Sequence, residues 1–246
     1  MSDRLAGKHA FITGGNRGIG LSIAQRLKAE GAIVTIASRR GSEIDGMSAV
    51  QCDVADEGSI ERAFADARQL HGPISLLVNN AGIAESAPLG RTTTEMWNRI
   101  LATNLTGTFL CSRGVVDEMK RARYGRILNI SSIAGLGGAA YIAAYCASKH
   151  GVVGLTRALA IELAEFGITT NAICPGYVET EMMAQAMVNI MEKTGATEAQ
   201  AREHLAQSNP GGRIVTLDEV ASTAVDLITG VENGVSVVLP GGTRVS

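Results

Sequence analysis

Residues 13–20 read TGGNRGIG and stand between the apolar run HAFI at 9–12 and LSIAQRLKAEG at 21–31, whose apolar residues recur at helical spacing. A strand therefore turns into a helix at this point. Residues without a Cβ let backbone N–H groups approach a ligand closely, and the N-terminus of the helix that follows carries partial positive charge. A diphosphate is the natural occupant of such a turn. A tight turn needed only for packing would read the same way in isolation, so the rest of the chain has to decide.

Around that turn the strand and helix patterns alternate. After 19–30, with helical spacing, come IVTIAS, AVQCDV, a helix at about 57–71, ISLLVNNAG, a long helix at about 95–122, GRILNISS, a helix at about 143–165, and ITTNAICPG. Strands that are apolar throughout and separated by amphipathic helices belong to a parallel sheet covered on both faces. The pattern predicts a doubly wound α/β domain of Rossmann type, with about seven strands, spanning residues 1–246. After Pro175-Gly176 the rhythm breaks. Residues 177–210 carry Met182, Met183, Met187 and Met191 before a helix near 217–228 and a last strand, VSVVLP. Methionines near every fourth position fit either a core stripe or an adaptable cover, and their place after a strand's carboxyl end favours a substrate lid at about 178–212.

Bulk composition excludes several classes. The 246 residues are 46% hydrophobic and 19% charged, enough to bury a large core. A net charge of −2, from 22 Lys+Arg against 24 Asp+Glu, gives no footprint for a polyanion, so neither nucleic acid nor an anionic membrane is an expected partner. No basic start is followed by an apolar stretch of about 7 to 15 residues, and no run of about 18 apolar residues occurs, so a cytoplasmic location is expected. Cys52, Cys111, Cys146 and Cys174 lack CxxC spacing, and the four histidines form no ligand pair. Reduced thiols and no metal are expected.

A second constellation lies at YCASK, residues 145–149. Four residues apart on a helix, Tyr145 and Lys149 share a face, so the ammonium can sit near the phenol and lower its pKa from the usual value of about 10. Tyrosine and lysine also meet at this spacing by chance. Ser132 adds weight: it ends the strand GRILNIS, at the sheet edge where ligands bind in open α/β folds. A hydroxyl there can hold a carbonyl oxygen while the phenol protonates it. Strand alternation points the adjacent Ser131 to the opposite face. Neighbours on a helix diverge by about 100°, which assigns Cys146 to packing and His150 to solvent.

Taken together, TGGNRGIG, CDV at 52–54, NNAG at 79–82, Asn104 in LATNLTGTF, Ser132, YCASK and PGYVET at 175–180 resemble the short-chain dehydrogenase/reductase family, over residues 5–242. The resemblance implies hydride transfer between a nicotinamide dinucleotide and a carbonyl or secondary alcohol. It implies that Gly14, Asn16, Arg17, Gly18, Ile19 and Gly20 shape the diphosphate turn. Asp53 and Val54 would contact the adenine, Asn80, Ala81 and Gly82 would line the adenosine side, and Pro175, Gly176, Val178 and Thr180 would frame the nicotinamide. Tyr145 would be the general acid, Ser132 would orient the carbonyl, Lys149 would bind the ribose and depress the tyrosine pKa, and Asn104 would hold a water that relays protons.

In members of the family that prefer NAD, an acid about 20 residues beyond the glycine turn binds the ribose 2′-OH. Ser38 stands there instead, followed by Arg39 and Arg40, with Arg17 able to reach the same region. Arginine meets a 2′-phosphate with paired, charge-assisted hydrogen bonds. NADP(H) is the expected cofactor, with NAD(H) the alternative; a merely solvated strand end is the bland reading of Arg39 and Arg40.

The resemblance is strongest to reductases of 3-oxoacyl thioesters, bound to CoA or to an acyl carrier protein. A dehydrogenase of a cyclic alcohol, polyol or sugar is the alternative, and a catalytically silent dinucleotide sensor a lesser one. Two departures bear on this. Glu165-Phe166 stands where carrier-protein reductases usually carry a basic residue, and Pro240 replaces the acid of the usual VDGG ending. Lys120, Arg121, Arg123 and Arg126 could dock an acidic carrier, but cations near a helix C-terminus also complement its dipole. A homotetramer is expected, with a dimer as the alternative.

Overall fold

The switch from strand to helix at residue 13 sets the topology. In the computed structural model, which describes residues 3–41 and 44–245, β1 (His9–Thr13) is the third strand across an eight-stranded sheet. The other strands are β2 (Ile33–Ser38), β3 (Ser48–Gln51), β4 (Leu76–Asn79), β5 (Gly125–Ile130), β6 (Ile168–Pro175), β7 (Ser236–Leu239) and β8 (Thr243–Val245). Their order is β3-β2-β1-β4-β5-β6-β7-β8, and pairing is parallel from β3 through β7. The strand order reverses between β1 and β4, which opens a crevice at their carboxyl ends.

Helices cover both faces, as the all-apolar strands require. Ala10 and Ile12 of β1 pack toward α1 (Gly18–Ala29) and α8 (Leu217–Thr229), where Ile23, Leu27, Val220 and Leu227 are buried with them. Phe11, between them, points the other way, to α2 (Glu57–His71), α4 (Gly107–Ala122) and α5 (Ala143–Leu163). Its ring meets Phe64 with centroids 4.7 Å apart. Such a pair contributes about 0.5–1.5 kcal/mol beyond the area it buries.

Three local readings are corrected. The sheet has eight strands, because the three-residue β8 folds back antiparallel on β7 after the Gly241-Gly242 turn. The strand in ISLLVNNAG stops at Asn79, leaving residues 80–82 as irregular chain at the crevice. The long helix predicted at 95–122 is three pieces: α3 (Thr94–Leu101), a π turn (Ala102–Thr106) and α4. The π turn holds one residue too many for a regular turn and carries Asn104, which points inward and is 1% exposed.

The segment after β6 forms α6 (Glu181–Thr194) and α7 (Glu198–Gln207). Its two ends meet: Val178 bridges Val215, and the Val215 N–H donates to the Tyr177 carbonyl at 2.9 Å. Of the four methionines, only Met183 is buried in the core; Met187 and Met191 are half-buried and Met182 is exposed. Among the described residues no helix is long and apolar enough to cross a membrane, and no group of His, Cys, Asp and Glu is placed to hold a metal.

Candidate active site

Helix starts show where a ligand belongs. Asp56, Thr93, Thr180, Thr197 and Thr216 each cap their own helix with a side-chain oxygen that accepts a backbone N–H. At α1 the N-cap is Arg17, which makes no capping bond, and no acid sits in the first turn. Those N–H groups lie at the crevice and suit an anion. Gly14 and Gly18 hold φ of +62° and +53°, which residues with a side chain rarely adopt. A Cβ on Gly20 would fall 2.4 Å from both the Gly14 carbonyl oxygen and Asn80 Nδ2. The Asn80 amide in turn donates to the Thr13 and Gly14 carbonyls, at 2.9 and 3.1 Å, and Thr13 Oγ1 accepts from the Asn80 and Ala81 N–H groups at 3.0 Å each. The sequence-predicted residues 14–20 and 80–82 therefore form one hydrogen-bonded frame.

The end of β2 flanks this frame. The Gly14 N–H donates to the Ala37 carbonyl at 2.7 Å, and Ser38 Oγ, buried, accepts from the Gly41 N–H. Arg39 and Arg40 are exposed and form no ion pair with any described residue. Asp53 is exposed and its carboxylate accepts the Ala55 N–H, whereas Val54 is buried. Arg17 does not point to β2: its guanidinium pairs with Glu181, at the first turn of α6.

On the far side of the crevice, α5 brings Tyr145 and Lys149 to the end of β5. Lys149 is 5% exposed, donates to the Ile130 carbonyl at 2.8 Å, and has its Nζ 5.7 Å from the Tyr145 ring centre. Ser132 Oγ accepts from the Ala134 N–H at 3.1 Å and reaches the Pro175 carbonyl at 3.4 Å. Ser131, buried, turns away and donates to the Lys149 carbonyl at 3.1 Å. Gly82 closes the corner: a Cβ there would lie 3.3 Å from Asn104 Oδ1 and 3.6 Å from Lys149 Nζ. His150 is exposed, and Cys146 is half-buried.

The electrostatics of this corner differ from those the spacing predicts. The Tyr145 phenol is pushed up to about 12, chiefly by burial, with a hydrogen bond from Ser132 pulling the other way. Burial also pulls Lys149 down to about 8. Desolvation penalises whichever form is charged, so it favours the neutral phenol and the neutral amine alike. With its Nζ directed at the Ile130 carbonyl, Lys149 does not offset the effect of burial on the phenol in the free protein. The phenol holds its proton at neutral pH, as a proton donor must.

Asn104 has more partners than the sequence discloses. Its Oδ1 accepts the Ile83 N–H at 2.9 Å, and its Nδ2 donates to the Ile83 carbonyl at 2.9 Å and to Ser148 Oγ at 3.1 Å. Both amide hydrogens are engaged, which ties residues 80–83 to α5. A residue missed in the sequence is Asn209, 4% exposed. Its Oδ1 accepts the Tyr177 N–H at 2.6 Å, and its Nδ2 donates to the Tyr177 and Arg213 carbonyls at 3.0 and 2.7 Å. It locks the exit of β6 beside Gly176, where a Cβ would meet Asn209 Oδ1 at 2.1 Å. Only the Asn-Pro dipeptide hints at it, as a turn. Lys120 and Arg123 lie over the Phe166 ring and Arg126 over Tyr124, at the amino edge of the sheet, opposite the crevice.

An open anion cradle facing serine, tyrosine and lysine across a topological switch point defines a dinucleotide-dependent oxidoreductase of the doubly wound class. The short chain dehydrogenase model matches residues 8–190, and the chain belongs to that family, whose members bind a nicotinamide dinucleotide and act on CH–OH or keto groups. It is 42% identical over 175 residues to the 3-oxoacyl-[acyl-carrier-protein] reductase MabA of Mycobacterium avium, covering 71% of this chain and 69% of that one. It is 37% identical over 235 residues to the D-beta-hydroxybutyrate dehydrogenase of Cupriavidus necator, covering 91% of each. Among solved structures, a point variant of the actinorhodin polyketide ketoreductase with NADPH superposes with a TM-score of 0.90 at 35% identity over 98% of both chains.

Proposed function

We propose that this protein is an NADP(H)-dependent ketoacyl reductase that converts the ketone of a 3-oxoacyl thioester into the 3-hydroxyacyl alcohol. The observation that carries this reading is the Ser132, Tyr145 and Lys149 corner set across the crevice from the uncapped start of α1. The dinucleotide, when bound, supplies the hydride. Ser132 holds the carbonyl oxygen, and Tyr145 delivers the proton as that oxygen gains charge. Lys149 would donate to the ribose and place its positive charge near the phenol. Asn104 holds residues 80–83 against α5, and any water it binds must use its remaining acceptor capacity. Glycine-turn residues 14–20 and Asn80, Ala81 and Gly82 hold the diphosphate and adenosine, Asp53 and Val54 flank the adenine, and Pro175, Gly176, Val178 and Thr180 frame the nicotinamide. The exposed Arg39 and Arg40, with Ser38 in place of an acid, favour a 2′-phosphate. The relatives named as ketoacyl reductases, and NADPH in the actinorhodin structure, support the same choice.

In this reading residues 178–212 are the substrate lid of a single 1–246 domain that works in the cytoplasm as a homotetramer. The oxidative alternative draws on the hydroxybutyrate dehydrogenase relative and on the aldohexose dehydrogenase of Thermoplasma acidophilum, TM-score 0.89 at 29% identity.

The test is NADPH consumption by the purified protein with acetoacetyl-CoA, with Tyr145→Phe as control. Turnover that the substitution lowers by about 10²- to 10⁴-fold, with NADPH binding retained, is the expected result. Turnover only with free 3-hydroxybutyrate or a sugar in the oxidative direction would replace it with the alternative.

A further inference from the structure

Three arginines stand where a phosphorylated dinucleotide would lie, yet their circumstances differ. Arg39 and Arg40 form no ion pair with any described residue, whereas Arg17 is held by Glu181 across the crevice mouth. The contact is not a chance of two long side chains alone. The glycine turn and the root of α6 lie close together there: a Cβ on Gly18 would lie 3.5 Å from Thr180 Cγ2, and Thr180 caps the helix whose first residue is Glu181. The side chains of Arg17 and Glu181 remain 63% and 72% exposed, so the pair is solvated and weak enough for a ligand anion to displace.

We propose that Glu181 sets cofactor affinity by competing with a cofactor phosphate for Arg17. This rests on the reading of the crevice as the dinucleotide site. In the free chain the guanidinium serves the carboxylate at the start of α6, and a phosphate takes it over on binding, so part of the Arg17 interaction is offset by the ion pair that must open. Two sources of that phosphate are within the chemistry: the 2′-phosphate, present only in NADP(H), and the diphosphate, common to both cofactors. A carboxylate at residue 181 therefore weakens cofactor binding through an arginine 164 positions earlier in the chain.

The experiment is a fluorescence titration of NADPH and NADH with the wild-type chain, Glu181→Gln, Arg17→Ala and the double variant. Glu181→Gln is expected to tighten NADPH binding about two- to fivefold, the range of an exposed ion pair. A gain confined to NADPH assigns Arg17 to the 2′-phosphate, and an equal gain for NADH assigns it to the diphosphate. In the Arg17→Ala background the same substitution should change neither affinity, because the competition has lost its object. Unchanged or weaker NADPH binding in Glu181→Gln, or the same gain with Arg17 absent, would overturn the proposal. Arg17→Ala separates the two levels. If it weakens binding while Glu181→Gln does nothing, the dinucleotide reading stands and the competition falls; if it leaves both cofactors untouched, Arg17 has no part in the site.

Discussion

The two walls of the crevice are built by different means. The wall of Tyr145, Lys149, Asn104 and residues 80–83 is held by buried and part-buried hydrogen bonds: Lys149 to Ile130, Asn104 to Ile83 and Ser148, Asn80 to Thr13 and Gly14. The wall of α6 and α7 is held largely by exposed ion pairs, Arg17 with Glu181 and Arg202 with Glu179, and by one buried amide, Asn209. Buried, fully paired polar networks fix geometry, whereas exposed pairs contribute little and yield easily. In the proposed reading, the groups that move protons sit in the first wall and those that meet the variable part of a substrate sit in the second.

Breaking the fixed wall should have the largest effect. Gly20→Ala puts a methyl 2.4 Å from the Gly14 carbonyl and the Asn80 amide, so the frame has to open. Overpacking against backbone at such a site costs about 3 kcal/mol. Thermal unfolding should shift down by several degrees, and cofactor titration should show binding lost; a normal titration would mean that the turn is looser than its contacts indicate. Next is Asn209→Ala, which strands the Tyr177 N–H and the Arg213 carbonyl, leaves the Tyr177 carbonyl with the Val215 N–H alone, and is expected to cost about 1–2 kcal/mol. If the two walls are as separable as they look, substrate KM should rise several-fold while NADPH affinity stays within about twofold.

The pH profile sharpens the comparison with the smallest change. Lys149 carries its charge below about 8 and loses it as pH rises through that value, while Tyr145 keeps its proton up to about 12. Reductive kcat/KM, which reports the free enzyme, should be level near neutrality and fall by up to about tenfold as pH passes through about 8 to 9. Lys149→Arg, whose charge does not titrate in that window, should flatten the fall. A wild-type profile already flat to pH of about 10 would show that the lysine charge in the free protein is irrelevant to rate.

How far the sequence was legible follows the same division. Apolar runs and helical periods gave the alternation of β1 to β7, and the YCASK spacing placed Tyr145 and Lys149 on one face of α5, because both signals are local. Asn104 was named, but its π turn was not visible, since LATNLTGTF has a continuous helical period and the bulge is imposed by the inward amide and its Ile83 partners. β8 was missed because three residues after a Gly-Gly turn carry no period. Asn209 and Glu181 escaped for another reason: their partners are 32 and 164 residues away, a distance no window spans. The direction of the tyrosine shift failed because charge proximity can be read from spacing, and desolvation cannot.

The bridge between Val178 and Val215 has a consequence for this protein's descent and redesign. The segment between the two valines leaves and comes back beside the carboxyl end of β6, where the bridge joins its ends, so its length is not dictated by any gap it must span. Lengthening a closed loop is cheap, about 0.6 kcal/mol for each doubling. The excursion is in effect a cassette: it can be shortened, extended or exchanged for another while α5 and the end of β5, which carry the proposed catalytic side chains, stay in place.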